Sequence, residues 1–102
     1  MDNLKPLSNF FTAIEKDFRI GTTHIAIYAA LLQYRMGKGF INPIQVFRHE
    51  VAPKAKVLSA YTYHKCVREL SEYGYIKYKP SFKKTQGSKI FFLDEEQEYV
   101  NQ

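Results

Sequence analysis

A chain of 102 residues with 45% apolar content and a formal net charge of +5 has the length and composition of one globular domain, which excludes a wholly disordered protein. No run of 18 apolar residues occurs, so no membrane-spanning helix is expected, and the single Cys66 excludes an internal disulfide. The opening MDNLKPLSNFF lacks a charged-then-apolar leader, so the expected home is a reducing cytoplasm, with no membrane partner.

After a loose lead-in, the first predicted element is an amphipathic helix over residues 7–18. Leu7, Phe10, Phe11, Ile14 and Phe18 recur at helical spacing, and Asn9, Thr12, Glu15 and Lys16 take the other face. Such a helix packs on its domain; the alternative is that Phe10 and Phe11 mark a dimer contact. Gly21 breaks it, and the hydroxyl of Thr22 or Thr23 can cap the next helix. That helix, residues 24–36, carries Ile25, Ile27, Tyr28, Leu31, Leu32 and Met36 around most of its circumference, so it belongs at the centre of the core. Gly37 and Gly39 end it, Gly37 being suited to a left-handed C-terminal cap.

Residues 40–56 admit two readings. Asn42, Pro43 and Gln45 fit a helix start, with Asn as cap and Pro in the first position. Ile44 and Val46 alternating with Pro43 and Gln45 fit a short edge strand through 41–47, followed by a helix from about Arg48. Either way a short helix ends near Lys56, and Pro53 sits badly in it unless it falls in the first turn or bends it.

Ser59 offers a side-chain cap to a helix over 59–73. At 100° per residue, Tyr63, Cys66, Val67, Leu70 and Tyr73 gather on one side. Tyr61, His64, Lys65, Arg68 and Glu72 gather on the other. The first set faces the core and leaves Tyr61, His64, Lys65 and Arg68 pointing out, where they can donate to phosphates or base edges. Taken alone, an ordinary solvated helix face would look the same. Gly74 stops the helix. Residues 75–79 alternate as a strand, Pro80 ends it, 81–88 is a turn with Gly87 free to take positive φ, and 89–93 is the return strand. Lys77, Lys79, Lys83, Lys84 and Lys89 all lie on this hairpin; some lysine there guards a sheet edge, but five exceed that need. The last residues, 94–102, form an acidic tail.

The charge is uneven. Residues 48–93 hold ten Lys/Arg against three acids, residues 1–47 five against three, and residues 94–102 four acids alone. The positive field thus sits on the helix and hairpin, as expected for a polyanion partner. An active site finds little support. His64 and Cys66 lie about 200° apart on their helix and cannot share a metal. No CxxC, HExxH, glycine-rich phosphate loop or GxSxG occurs. Cys66 falls on the core face, and acids are sparse before residue 94. No enzyme activity, catalytic residue, cofactor or metal is expected.

The run Ser59-x-x-Thr62-Tyr63-His64-Lys65-Cys66-Val67-Arg68-Glu69-Leu70, followed by Gly74-Tyr75-Ile76-Lys77-Tyr78-Lys79-Pro80-Ser81 and Gly87-Ser88-Lys89-Ile90, resembles the recognition helix and wing of small winged helix-turn-helix proteins. The likeness is to Bacteroidetes-type members found with mobile or conjugative elements, and more broadly to winged-helix transcriptional regulators. It spans about residues 25–93. It implies a mostly α fold with a small β hairpin (α+β): a three-helix core plus an N-terminal helix and a two- to three-stranded wing sheet. The core helices would be residues 24–36, 48–56 and 59–73, which favours strand-then-helix over 40–56. Pro53 departs from the pattern and leaves the second helix short or bent.

The resulting expectation is sequence-specific binding of double-stranded DNA, as in a transcription regulator. Tyr61, Thr62, His64, Lys65 and Arg68, with Ser59 at their start, would enter the major groove. Lys77, Lys79, Lys83, Lys84 and Lys89 would follow the flanking backbone or minor groove. The alternative is a protein-interaction module with a protein partner in a replication, conjugation or excision complex. A homodimer is compatible with either.

Overall fold

The computed structural model describes residues 4–93. The acidic tail expected at 94–102 lies outside the described residues, as do residues 1–3 of the lead-in, while Lys5 and Pro6 already belong to the first helix. The described elements are α1 (Lys5–Ile14), α2 (Thr22–Gly37), β1 (Ile44–Val46), α3 (Arg48–Val51), α4 (Ala60–Glu72), β2 (Ile76–Lys79) and β3 (Ser88–Phe92). The three strands form an antiparallel sheet in the order β1-β3-β2. This is a mixed α+β fold compatible with a small winged-helix-like architecture. Among the described residues no helix is long and apolar enough to cross a membrane.

One hydrophobic core takes side chains from all seven elements. Ile27, Leu31, Ile44, Val51, Val67, Leu70, Ile76 and Ile90 are fully buried. Helix α2 lies central, as its apolar girth implied, although Met36 near its end is largely exposed. Phe10 of α1 is buried and stacks on Tyr28, with ring centroids 3.8 Å apart, while Phe11 beside it is exposed. Phe10 therefore belongs to the core rather than to a dimer contact.

Helix α1 is shorter than its periodicity suggests. It stops at Ile14 and leaves Phe18 93% exposed. The reason lies at Asp17, whose carboxylate accepts from the Arg19 N–H at 3.1 Å, from Arg19 Nε and Nη2 at 2.8 Å each, and from the Tyr75 hydroxyl. A local side-chain loop of this kind competes with further helix. It also ties residues 15–20 to the strand side of the molecule. The Arg19 guanidinium caps the arrangement by lying 4.1 Å from the Tyr73 ring centroid.

Three helix ends differ from expectation. Gly21, not Thr22 or Thr23, stands before α2, and its N–H donates to Nδ1 of His24 at 3.0 Å. The imidazole reaches back from the third helical residue to the N–H of the residue before the helix, the reverse of the bond a capping threonine would make, and the threonines are simply the first helical residues. At the other end Gly39, not Gly37, takes the left-handed conformation, with φ +81°. The Phe40 N–H reaches the Arg35 carbonyl at 2.9 Å and the Gly39 N–H that of Met36 at 3.2 Å, the paired bonds of a Schellman cap. The stop after α3 uses the same bonding without glycine: Val57 N–H donates to the Ala52 carbonyl at 3.0 Å while Lys56 takes φ +63°. Pro53 sits in this turn, beyond the four regular residues of α3, which is how the short second helix accommodates it.

Over residues 40–47 the strand reading holds. Asn42 does not cap a helix. Its Nδ2 donates to the Phe92 carbonyl and its Oδ1 accepts from the Phe92 N–H, both at 3.0 Å. The side-chain amide thus mimics a peptide group and extends the β1–β3 ladder by one step. The Asn42–Pro43 peptide is cis.

Candidate nucleic-acid interface

Helix α4 begins where the sequence places it. The Ser59 Oγ accepts from the Thr62 N–H at 3.2 Å. It ends at Gly74, φ +91°, with the Tyr75 N–H on the Leu70 carbonyl at 2.9 Å and the Gly74 N–H on that of Ser71 at 3.1 Å. Between these caps Tyr63, Cys66, Val67 and Leu70 are buried and Tyr73 is half-buried. Burial pushes the Tyr63 phenol up to about 12 and raises the Cys66 thiol, with Glu69 adding to the latter. Both therefore stay neutral and act as packing groups.

The opposite face carries Tyr61, Lys65 and Arg68, all exposed, at i, i+4 and i+7, so they form one line along the helix. Tyr61 is 71% exposed. Thr62 and His64 flank the line and are half-buried. Burial lowers the His64 pKa, and the nearby Arg48 and Arg68 guanidinium groups lower it further. A phosphate placed among them would act in the opposite sense. Arg48 is thus part of this basic group. Sequence reasoning missed it as a site residue because it begins α3, sixteen positions before His64. The available signal was the turn itself: two helices joined by residues 52–59 bring the start of the first close to the start of the second.

The five hairpin lysines divide into two groups. Strand alternation sends Ile76, Tyr78, Ile90 and Phe92 inward. It sends Lys77, Lys79, Lys89 and Phe91 to the outer face, where Lys77 pairs with Phe91 and Lys79 with Lys89. The Lys77 and Lys79 Nζ atoms lie 5.9 and 5.6 Å from the Phe91 ring centroid, so an aromatic plate sits among the charges. Lys83 and Lys84 stand apart, exposed at the tip. The hairpin meets α4 at the edge strand, where the Tyr78 N–H donates to Ser71 Oγ at 3.1 Å.

Gly87 is required here for a reason other than positive φ, which it does not adopt. A Cβ on it would lie 2.6 Å from the Val46 carbonyl oxygen and 2.9 Å from the Val46 nitrogen. Only a glycine lets the base of the hairpin lie against the β1 backbone.

Among the described residues, one cluster outside the basic face holds metal-ligating atoms. His24, Cys66 and Glu69 bring a nitrogen, a sulfur and a carboxylate oxygen within 4.8 Å of one another. His24 lies on α2 and the other two on α4, so no local spacing joins them. The hydrogen bonds decide what the cluster does. Nδ1 of His24 takes the Gly21 N–H, so the ring proton belongs on Nε2, which lies 2.8 Å from Glu69 Oε1. A cation would have to displace that proton and leave an Nδ1–H facing the Gly21 N–H. The arrangement instead joins the start of α2 to the middle of α4.

A separate apolar cleft of about 170 Å³ lies between α1 and the end of α2, among Leu7, Leu32, Met36 and Phe40. No protein family, no curated protein and no solved structure matches the chain.

Proposed function

We propose that this protein binds double-stranded DNA in a sequence-specific manner, as a winged-helix transcription regulator of the mobile-element type acting in the cytoplasm. The observation that carries this reading is the two-sidedness of α4. Four buried side chains fasten it, and Tyr61, Lys65 and Arg68 project in a line with Arg48 and His64 alongside. A helix of 13 residues is about 20 Å long and fits the major groove of B-DNA. Arg68 suits a guanine edge; Tyr61, Thr62, His64 and Lys65 suit bases and phosphates around it, and Ser59 the adjoining backbone. Lys77, Lys79, Lys83, Lys84 and Lys89 suit flanking phosphates.

Selection of bound duplexes from a random pool, followed by salt titration, tests this. With about six phosphates neutralised, log K should fall with log salt at a slope near −5. Arg68→Ala should relax base choice at a cost of about 1–3 kcal/mol, while Lys83→Ala should weaken all duplexes alike. A flat salt dependence, or equal and sequence-blind losses from both variants, would overturn the assignment.

The cleft beside Leu7, Met36 and Phe40 favours a second reading, a protein-contact module in a replication or conjugation complex. Its signature would be salt-insensitive capture of a protein partner. A homodimer reading two half-sites fits the first function; sedimentation at high concentration tests it, and a strict monomer rejects it.

A further inference from the structure

The hairpin tip presents an apolar ring on a surface otherwise polar and basic. Phe82 is 97% exposed, more than any other large apolar residue described. It stands between Ser81 and the pair Lys83-Lys84. The backbone on both sides of it is held. The Ser81 N–H donates to Ser88 Oγ at 3.3 Å, the Lys83 N–H to Ser81 Oγ at 3.2 Å, and the Gln86 N–H to the Lys83 carbonyl at 3.1 Å. The tip is therefore a shaped turn, and it holds its phenyl ring away from the sheet. The fold gains nothing from the ring in that position. A surface that offers both an apolar slot and flanking anions would gain from ring and lysines together.

A DNA minor groove offers both. Its walls are lined with phosphates, and its floor consists of base steps that an apolar side chain can prise apart. We infer that Phe82 is a wedge: on the bound duplex its ring enters the minor groove and partly unstacks one base step, while Lys83 and Lys84 hold the phosphates beside it. This rests on the DNA-binding reading above and deepens it by naming the kind of site. Pyrimidine–purine steps (TA and CA/TG) unstack most easily, so the preferred duplex carries such a step under the wing, outside the bases that α4 touches. Insertion bends the duplex toward the major groove, by about 20–90° for wedges of this kind.

The test uses the full chain and a selected duplex with dyes at both ends and a fluorescent adenine analogue at the step under the wing. The wild-type protein should brighten the analogue and shorten the end-to-end distance. Phe82→Ala should abolish both signals and weaken binding about tenfold, the order expected when one aromatic–base stack is lost. Its salt slope should be unchanged, because no charge is removed. Phe82→Leu keeps an apolar wedge and should retain the bend. An exposed side chain contributes little to folding, so matched urea unfolding of Phe82→Ala and wild type completes the control. If Phe82→Ala binds and bends like wild type, the wedge is wrong while the DNA-binding reading stands. If the wild type binds no duplex at low salt, that reading fails and the wedge with it.

Discussion

Helix α4 and the hairpin tip beyond it are both basic, but they are held in different ways. The helix has four buried side chains, a serine cap at one end and a glycine cap at the other. Residues 80–86 of the tip have no buried side chain, and short local hydrogen bonds shape them. On the proposed DNA-binding reading, a helix fixed on this scale would keep its side chains in register with base edges. A tip held by its own hydrogen bonds rather than by packing would, on the same reading, meet the backbone beside the groove. On that reading, a packed reader and a locally braced clamp would be built from one contiguous stretch of chain. Beyond the tip, Gly87 anchors the base of the hairpin against β1.

The largest effect should come from the underside of α4. Leu70 is fully buried, so Leu70→Ala should cost about 2–5 kcal/mol in urea unfolding, through lost burial and the cavity left behind. Lys83→Ala at the tip should stay within about 0.5 kcal/mol of wild type. If the two losses are alike, the contrast between the regions is broken.

The base of the hairpin comes next. Gly87→Ala places a methyl group 2.6 Å from the Val46 oxygen, which is backbone and yields only if β1 shifts. A loss of about 1–3 kcal/mol is expected, the usual range for overpacking. Hydrogen exchange should locate it, with faster exchange at the β1–β3 amides and little change in α4. Uniform acceleration throughout would mean that hairpin and helix are one cooperative unit.

A smaller effect separates the two uses of Ser59. Ser59→Ala removes the acceptor for the Thr62 N–H and should cost about 1 kcal/mol of stability. Ser59→Asp restores a cap and favours the positive end of the helix, so stability should return. Duplex affinity should still fall, because the added carboxylate faces phosphate. Recovery of both by Asp would remove Ser59 from the proposed interface.

How much of this was legible depended on the range of each interaction. The two faces of α4, its serine cap and its stop at Gly74 follow from neighbours within a turn, and the inward–outward alternation of the wing follows from period two. Other features were set by distant partners. Gly87 answers to Val46, Asn42 to Phe92, Asp17 to Tyr75 and His24 to Glu69. No local pattern marks such pairs. The early end of α1 is local as well as distant: Phe18 keeps the helical period, yet the Asp17 carboxylate is turned onto Arg19 two residues on and onto Tyr75, so the period runs on where the helix does not. Arg48 joined the basic face only once the chain between α3 and α4 had its turn.

The smallest effect sets stability against function within the wing. Lys79 and Lys89 face each other across β2 and β3, both on the outer surface. Like charges directly opposite destabilise a sheet, while opposite charges contribute about 0.2–1 kcal/mol. Lys89→Glu should therefore raise stability by up to about 1 kcal/mol, and the gain should shrink as salt screens it. The same change should weaken duplex binding and make the salt slope shallower, since a phosphate contact becomes a repulsion. A variant that folds better and binds worse would show that the pair is kept for its charge. If binding were unaffected while stability rose, Lys89 would lie outside the clamp, and the clamp would contract to the tip, where the chain is least constrained by packing.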